Sequence, residues 1–277
     1  MQVIFPSLAE IEISHIDNLE KIWHNNLAAG SFCELRSFKI GGCKKIVNIF
    51  PSVLIRSFTK LEVLEIGFCD LLEAIFDLKG PSVDEIQPSN VVQLRDLSLN
   101  SLPKLKHIWN KDPQGKHKFH NLQIVRAFSC GVLKNLFPFS IARRLPQLEK
   151  LEIVHCGVEQ IVAKEEGGET FPYFMFPRLT SLNLIEIRKF RNFYPGKHTW
   201  KCPKLKSLAV SGCGNINYFD SKFLDLQEVQ GEIDPTFPIQ QPLFSDEEVR
   251  VCFRIFSLNF FFFSTQDMMD IFKPQFT

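Results

Sequence analysis

Apolar residues recur along the chain at a spacing that is neither helical nor simply extended. It is clearest in FTKLEVLEIGFCDLLEAIF, which places apolar residues at Phe58, Leu61, Leu64 and Ile66, a cysteine at Cys69, then Leu72, Ile75 and Phe76. Written as a template this is F-x-x-L-x-x-L-x-I-x-x-C-x-x-L-x-x-I-F. Its central L-x-I alternates with period two, as a short half-buried strand requires. One such unit cannot bury its apolar side alone, so it needs copies of itself.

The copies are present. Units open at Phe5, Phe32, Phe58, Val91, Phe119, Leu145, Phe176 and Cys202, and seven of the eight keep the spacing, the last of them as far as Phe219. The sixth slips by one residue after Cys156, to Val158, Ile161 and Val162. The shared L-x-x-L-x-I is the core of a leucine-rich repeat. The predicted fold is therefore an α/β solenoid, a leucine-rich-repeat horseshoe. Its concave face carries a parallel β-sheet of about eight strands, and its convex side is irregular or short-helical. The strands are centred on Ile11–Ile13, Phe38–Ile40, Leu64–Ile66, Leu97–Leu99, Val125–Ala127, Leu151–Ile153, Leu182–Leu184 and Leu208–Val210.

A longer period overlies the first. Cys43 and Cys130 lie 87 residues apart, as do Phe58 and Leu145, and the second and fifth units both continue into Phe-Pro, as FPSVLIRSF and FPFSIARRL. Duplication of a three-repeat block explains this. The Phe-Pro segments read as short helices with Pro51 and Pro138 near their starts, where a missing N–H costs little. The domain reading is a solenoid over 1–223, an acidic segment over 224–248, and a poorly ordered apolar tail over 249–277.

Composition narrows the function classes. The net charge is +1, which points to neither a polyanion nor a membrane surface. The most apolar run, Val251 to Phe263, contains Arg254 and is shorter than the roughly 20 residues a spanning helix needs. The start, MQVIFPSLAEIEI, has no basic n-region and no cleavage site, and no N-x-S/T sequon occurs. A cytoplasmic protein is expected. Five of the eight cysteines, Cys43, Cys69, Cys130, Cys156 and Cys213, share one template position just after the strand. There a buried side chain closes the turn. Strand spacing brings Cys43 near Cys69 and Cys130 near Cys156, and a reducing compartment keeps them as thiols.

Signatures of catalysis are absent. The sequence has no Walker A loop, no GxGxxG, no HExxH and no GxSxG. Neither an enzymatic activity nor a cofactor is expected, and repeat-spaced cysteines make a poor tetrahedral metal site. His15 and His155 share a template position five repeats apart and read as solvated side chains. Basic stretches in and after the fourth and seventh units are balanced by acidic runs, so they read as a charge-segregated flank rather than a nucleic-acid surface. The aromatic column Trp23, Phe50, Phe76, Trp109, Phe137, Tyr194 and Phe219 reads as a stacked interior spine. Two insertions, Lys79 to Asn90 and Lys164 to Phe174, are surface excursions.

In each strand the residue between the two core positions points outward. Across the units this column is Glu12, Lys39, Glu65, Ser98, Arg126, Glu152, Asn183 and Ala209, and the next is Ser14, Gly41, Gly67, Asn100, Phe128, Val154, Ile185 and Ser211. Phe128, Val154 and Ile185, with Ile124, form an expected apolar patch beside the Arg126–Glu152 pair. An apolar centre with a polar rim is how a protein-binding hot spot is built. The candidate protein-binding residues are Ile124, Arg126, Phe128, Glu152, Val154 and Ile185.

The units FPRLTSLNLIEI and LEKLEIVHCGVEQIV, the LPKLKHIW of the fourth unit and the C-x-x-L-x-x-I-F ending resemble plant intracellular disease-resistance receptors of the coiled-coil, nucleotide-binding, leucine-rich-repeat type. The resemblance covers roughly residues 3 to 235. It implies a module that recognises a protein partner: a pathogen effector, a guarded host protein or the receptor's own nucleotide-binding domain, the last as autoinhibition. It implies no nucleic acid and no membrane, and leaves the oligomeric state open. The nucleotide-binding portion is not represented here, so the expectation is a repeat-domain fragment or a truncated receptor. The alternative class is a leucine-rich-repeat substrate adaptor of a ubiquitin ligase, which carries an F-box-like segment ahead of its repeats; none is seen here.

Overall fold

The computed structural model describes residues 5–23, 31–55, 57–78, 90–113, 117–164, 173–195 and 198–213. The expectations for 224–248 and 249–277, and for most of the two insertions, lie outside them. One strand per repeat forms the large sheet: β1 (Glu10–Ser14), β2 (Ser37–Gly41), β3 (Val63–Gly67), β4 (Asp96–Asn100), β5 (Ile124–Phe128), β6 (Lys150–Val154), β7 (Ser181–Ile185) and β8 (Ser207–Ser211). They pair in chain order and all in parallel. Each predicted centre lies in its strand, and equivalent template positions face each other, as in Leu64↔Leu97 and Val125↔Leu151. The fold is a parallel β-solenoid of leucine-rich repeats with almost no helix.

The L-x-x-L-x-I positions form the core. Leu61, Leu64 and Ile66 are buried, and so are Leu94, Leu97 and Leu99 one repeat on. In β1 and β8, the two ends of the sheet, the core positions are only half-buried. Such a repeat packs against a strand neighbour on one side alone, which is the expected behaviour of a solenoid.

Each strand ends in the same way. The residue after it adopts a left-handed backbone in all eight repeats: His15, Gly42, Phe68, Ser101, Ser129, His155, Glu186 and Gly212, with φ between 50° and 66°. Only two are glycine, the residue that takes this conformation without steric cost. The N–H of this residue extends the ladder, donating to the last strand carbonyl of the next repeat, as in His155 N–H to Ile185 at 3.0 Å and Ser129 N–H to Val154 at 3.0 Å.

The opposite side carries short parallel ladders in addition to the turns. Asn48–Pro51, Ala74–Asp77 and His107–Trp109 form one, and Asn135–Phe137 pairs with Gln160–Val162. The Phe-Pro segments become helices of four residues, α1 (Ser52–Ile55) and α2 (Phe139–Ala142), and Pro138 caps α2 with an extended backbone. Pro51 closes the preceding strand segment.

The aromatic spine stacks through half the solenoid. Phe50 and Phe76 lie 5.4 Å apart at 17°, and Phe76 and Trp109 lie 5.9 Å apart at 15°. Such offset pairs add about 0.5–1.5 kcal/mol beyond burial. The column ends at Phe137, because its partner in the slipped sixth repeat is Val162. Phe139 and Phe174 take over, 5.8 Å apart edge to face, and Tyr194 packs on both. The slip also removes a residue from the turn after Cys156. A Cβ on Gly157 would lie 2.0 Å from the Gly131 carbonyl oxygen, whereas a Cβ on Gly131 would meet nothing within 4 Å.

Two stability predictions follow from this packing. Leu64→Asp places an unpaired carboxylate in a dry core and is expected to cost about 4 kcal/mol or more, read as loss of the cooperative melt; an unchanged melt would mean the register is wrong. Gly157→Ala is expected to lose about 2 kcal/mol in urea unfolding while Gly131→Ala is nearly neutral, and equal effects would contradict the close approach.

Candidate functional site

Strand alternation sends three residues of each five-residue strand to the outer face of the large sheet, and the register lines them up in columns. In the middle column Lys39 pairs with Glu65 at 3.3 Å and Arg126 with Glu152 at 3.3 Å. Both contacts join neighbours of opposite sign, as read from the sequence.

Arg126 is held more fully than the sequence reading supposed. Its Nη1 donates to both carboxylate oxygens of Asp96, each at 3.0 Å, and to the Ser98 hydroxyl at 3.3 Å. Its Nε faces Glu152, whose Oε1 accepts the Asn183 amide N–H at 3.2 Å. The chain Asp96–Arg126–Glu152–Asn183 thus crosses β4 to β7. Asn183 is buried, at 8% exposure, and the charged members are about three-quarters buried. Two carboxylates on one guanidinium leave the row net acidic.

Phe128, Val154 and Ile185 occupy consecutive register positions in the next column. All three are half-buried. The structure brings these three together. It sets Ile124 apart, since its register neighbours are Asp96 and Lys150 and Arg126 lies between it and Phe128 on β5. The sequence reading missed Asp96 and Asn183. Asp96 opens β4, and reading the first strand column as well as the second would have placed it diagonally opposite Arg126.

The five template cysteines close their turns as expected. Each thiol contacts the carbonyl two residues earlier, from 3.3 Å at Cys69 to 3.6 Å at Cys43. Burial pushes the Cys69 thiol up to about 11 and Cys202 up to about 12. The seven cysteines described are free. His15 and His155 both stand at the left-handed position and are exposed. The basic stretches meet acids from the preceding repeat, Lys106 with Glu73 at 3.0 Å and Arg191 with Glu159 at 3.8 Å. Among the described residues no group of three or more His, Cys, Asp or Glu could hold a metal ion, and no helix is long and apolar enough to cross a membrane.

Comparison with known proteins agrees with the leucine-rich-repeat fold. The model of the family described as plant disease resistance protein RPS2-like, leucine-rich repeats, matches residues 7–157. A probable disease resistance protein of Arabidopsis thaliana, At4g27220, is 28% identical over 138 residues, covering 49% of this chain and 14% of the relative. The chain therefore spans only a small part of that relative's length. No solved structure gives a significant match.

Arg126→Ala would leave Asp96 and Glu152 facing each other across β5. It is expected to destabilise the chain by about 1–2 kcal/mol, and less in high salt. The more exposed Arg36, paired with Glu62 at 2.7 Å, is expected to contribute under about 1 kcal/mol. Urea unfolding of both variants checks this; an equal loss would mean the four-residue row adds nothing to a surface pair.

Proposed function

Because the chain belongs to the leucine-rich-repeat family of plant disease resistance proteins, we propose that its large sheet is the protein-recognition surface of an intracellular, cytoplasmic immune receptor. The partner is a pathogen effector, a guarded host protein or the receptor's own nucleotide-binding domain, and contact with the last contributes to autoinhibition. The observation that carries this reading is the row Phe128–Val154–Ile185 running beside Arg126 and Glu152. Apolar side chains flanked by an ordered charged row provide an anchor together with a register-setting rim. The row is pre-organised, since its backbone is locked in the ladder and Arg126 is already bonded on both sides, so little side-chain freedom is lost on binding. The reading is one of binding.

The test is Phe128→Ala with Arg126→Ala in a full-length receptor carrying these repeats. Hot-spot truncations each cost about 2 kcal/mol, so effector response or autoinhibition is expected to fail at normal protein levels. An unchanged response and unchanged autoinhibition at normal levels would remove this surface from consideration.

A further inference from the structure

Five cysteines share one template position, yet two of them are wired differently. Cys43 and Cys69 stand in adjacent repeats, are fully buried, and each bonds the carbonyl of its own strand end; burial is the largest influence on both thiols. Cys130 and Cys156 also stand in adjacent repeats, but here the neighbouring thiol is the largest influence on each one's ionisation. The Cys130 backbone N–H donates to Cys156 Sγ at 3.4 Å, and Gly157 N–H returns to the Cys130 carbonyl at 3.0 Å. Parallel strands spaced about 4.8 Å apart fall within the Cα separation a disulfide tolerates.

The second difference is access. A depression of about 240 Å³ lies against this pair, lined by Gly131, His155, Cys156, Gly157, Glu186 and Arg188 among others. Gly131 and Gly157 carry no side chain to close it, and His155 and Arg188 on its rim are exposed. Cys156 is the one cysteine of the five that lines it. The nearby Cys130 thiol holds the Cys156 thiol below its ordinary range, and Cys156 together with burial pushes Cys130 up. One sulfur is thus poised to attack and its neighbour to resolve, which is the arrangement of oxidation-prone pairs.

We propose that Cys130 and Cys156 form a peroxide-oxidisable dithiol reached through this depression. Cys156 sulfur attacks one oxygen of a hydroperoxide such as hydrogen peroxide. The O–O bond breaks, an S–O bond forms, and one water leaves with the thiol proton. Cys130 sulfur then attacks the Cys156 sulfenic acid. The S–S bond forms, the S–O bond breaks, and the hydroxide departs as a second water with the Cys130 proton. The two sulfurs lose two electrons and the peroxide gains them. In the reduced state the two thiols donate to the carbonyls of Phe128 and Val154, at 3.4 and 3.3 Å. Oxidation removes both donors from directly behind the apolar row. Redox control of binding rests on the recognition reading above; the dithiol chemistry does not.

The experiment uses the full chain, purified reduced and folded. It is titrated with hydrogen peroxide, its remaining thiols are blocked with iodoacetamide, and it is mapped by peptide mass spectrometry. The expected result is loss of two titratable thiols from the eight in the sequence, with a Cys130–Cys156 link formed at lower peroxide than any Cys43–Cys69 link. Phenylarsine oxide, which bridges adjacent thiols, is expected to block this link. In Cys130→Ser, Cys156 is expected to stop at a sulfenic acid that dimedone captures. If wild-type Cys130 and Cys156 remain alkylatable after peroxide has oxidised Cys43 or Cys69, or link only in denaturant, the proposal is overturned. Neither mapping result depends on the variant folding or on any binding partner.

Discussion

The constraint on which the structure depends is the left-handed residue at the end of every strand. A strand left to itself alternates in and out, so the residue two beyond Ile66 would face the core. The template instead reads I-x-x-C, with two outward residues between Ile66 and Cys69. Gly67 is the last residue of β3 and Phe68 follows with φ 52°. That single left-handed residue resets the parity, keeps its N–H in the ladder and delivers Cys69 inward. In six of eight repeats the conformation is imposed on a residue with a Cβ, at a local cost on the order of 1 kcal/mol each. The ladder bond and the burial of the next side chain offset it. A period-two sheet tolerates no slip, because a one-residue shift exposes every core position at once. The reset must therefore fall at the same place in each repeat, and it does.

This accounts for what the sequence made legible. The strand register, the core and the turn cysteines follow from period two plus the repeat length, so they could be read before any coordinates. The left-handed ladder was present too, as the unexplained extra position in I-x-x-C, but no residue type announces it: histidine and serine fill it as often as glycine, and phenylalanine and glutamate fill it once each. The short ladders opposite the large sheet were not legible. Their segments, such as Asn48–Pro51 and His107–Trp109, are too short to show a period. The spine was legible as a column, but its transfer from Phe137 to Phe139 and Phe174 depends on which rings fit around Val162.

The surface was legible in part for a related reason. Outward residues in one column are neighbours whatever their chemistry, so the Lys39–Glu65 and Arg126–Glu152 contacts follow from register alone. A long side chain also reaches diagonally. Arg126 chose Asp96, one column back on the preceding strand, at a shorter distance than Glu152. Ile124 failed to join the apolar row because column membership, rather than closeness in sequence, decides contact on a sheet.

Repetition supplies the scaffold, and departures from it supply the distinctive chemistry. Three outer-face columns run through eight repeats, but only where Phe128, Val154 and Ile185 interrupt small and polar residues does one of them turn apolar over consecutive strands. The cysteines make the same point more sharply. Identical residues at identical template positions differ in environment because the sixth repeat is one residue short after Cys156. The shortened turn requires Gly157 against Gly131, and a depression lies where other repeats place side chains. Cys69 is sealed under its own turn, with its thiol pushed up to about 11 by burial. Cys156 instead borders open space, and its neighbour's thiol holds it below its ordinary range. A template predicts the position of both sulfurs equally well, so their difference in reactivity has to come from the missing residue between them and the next core position.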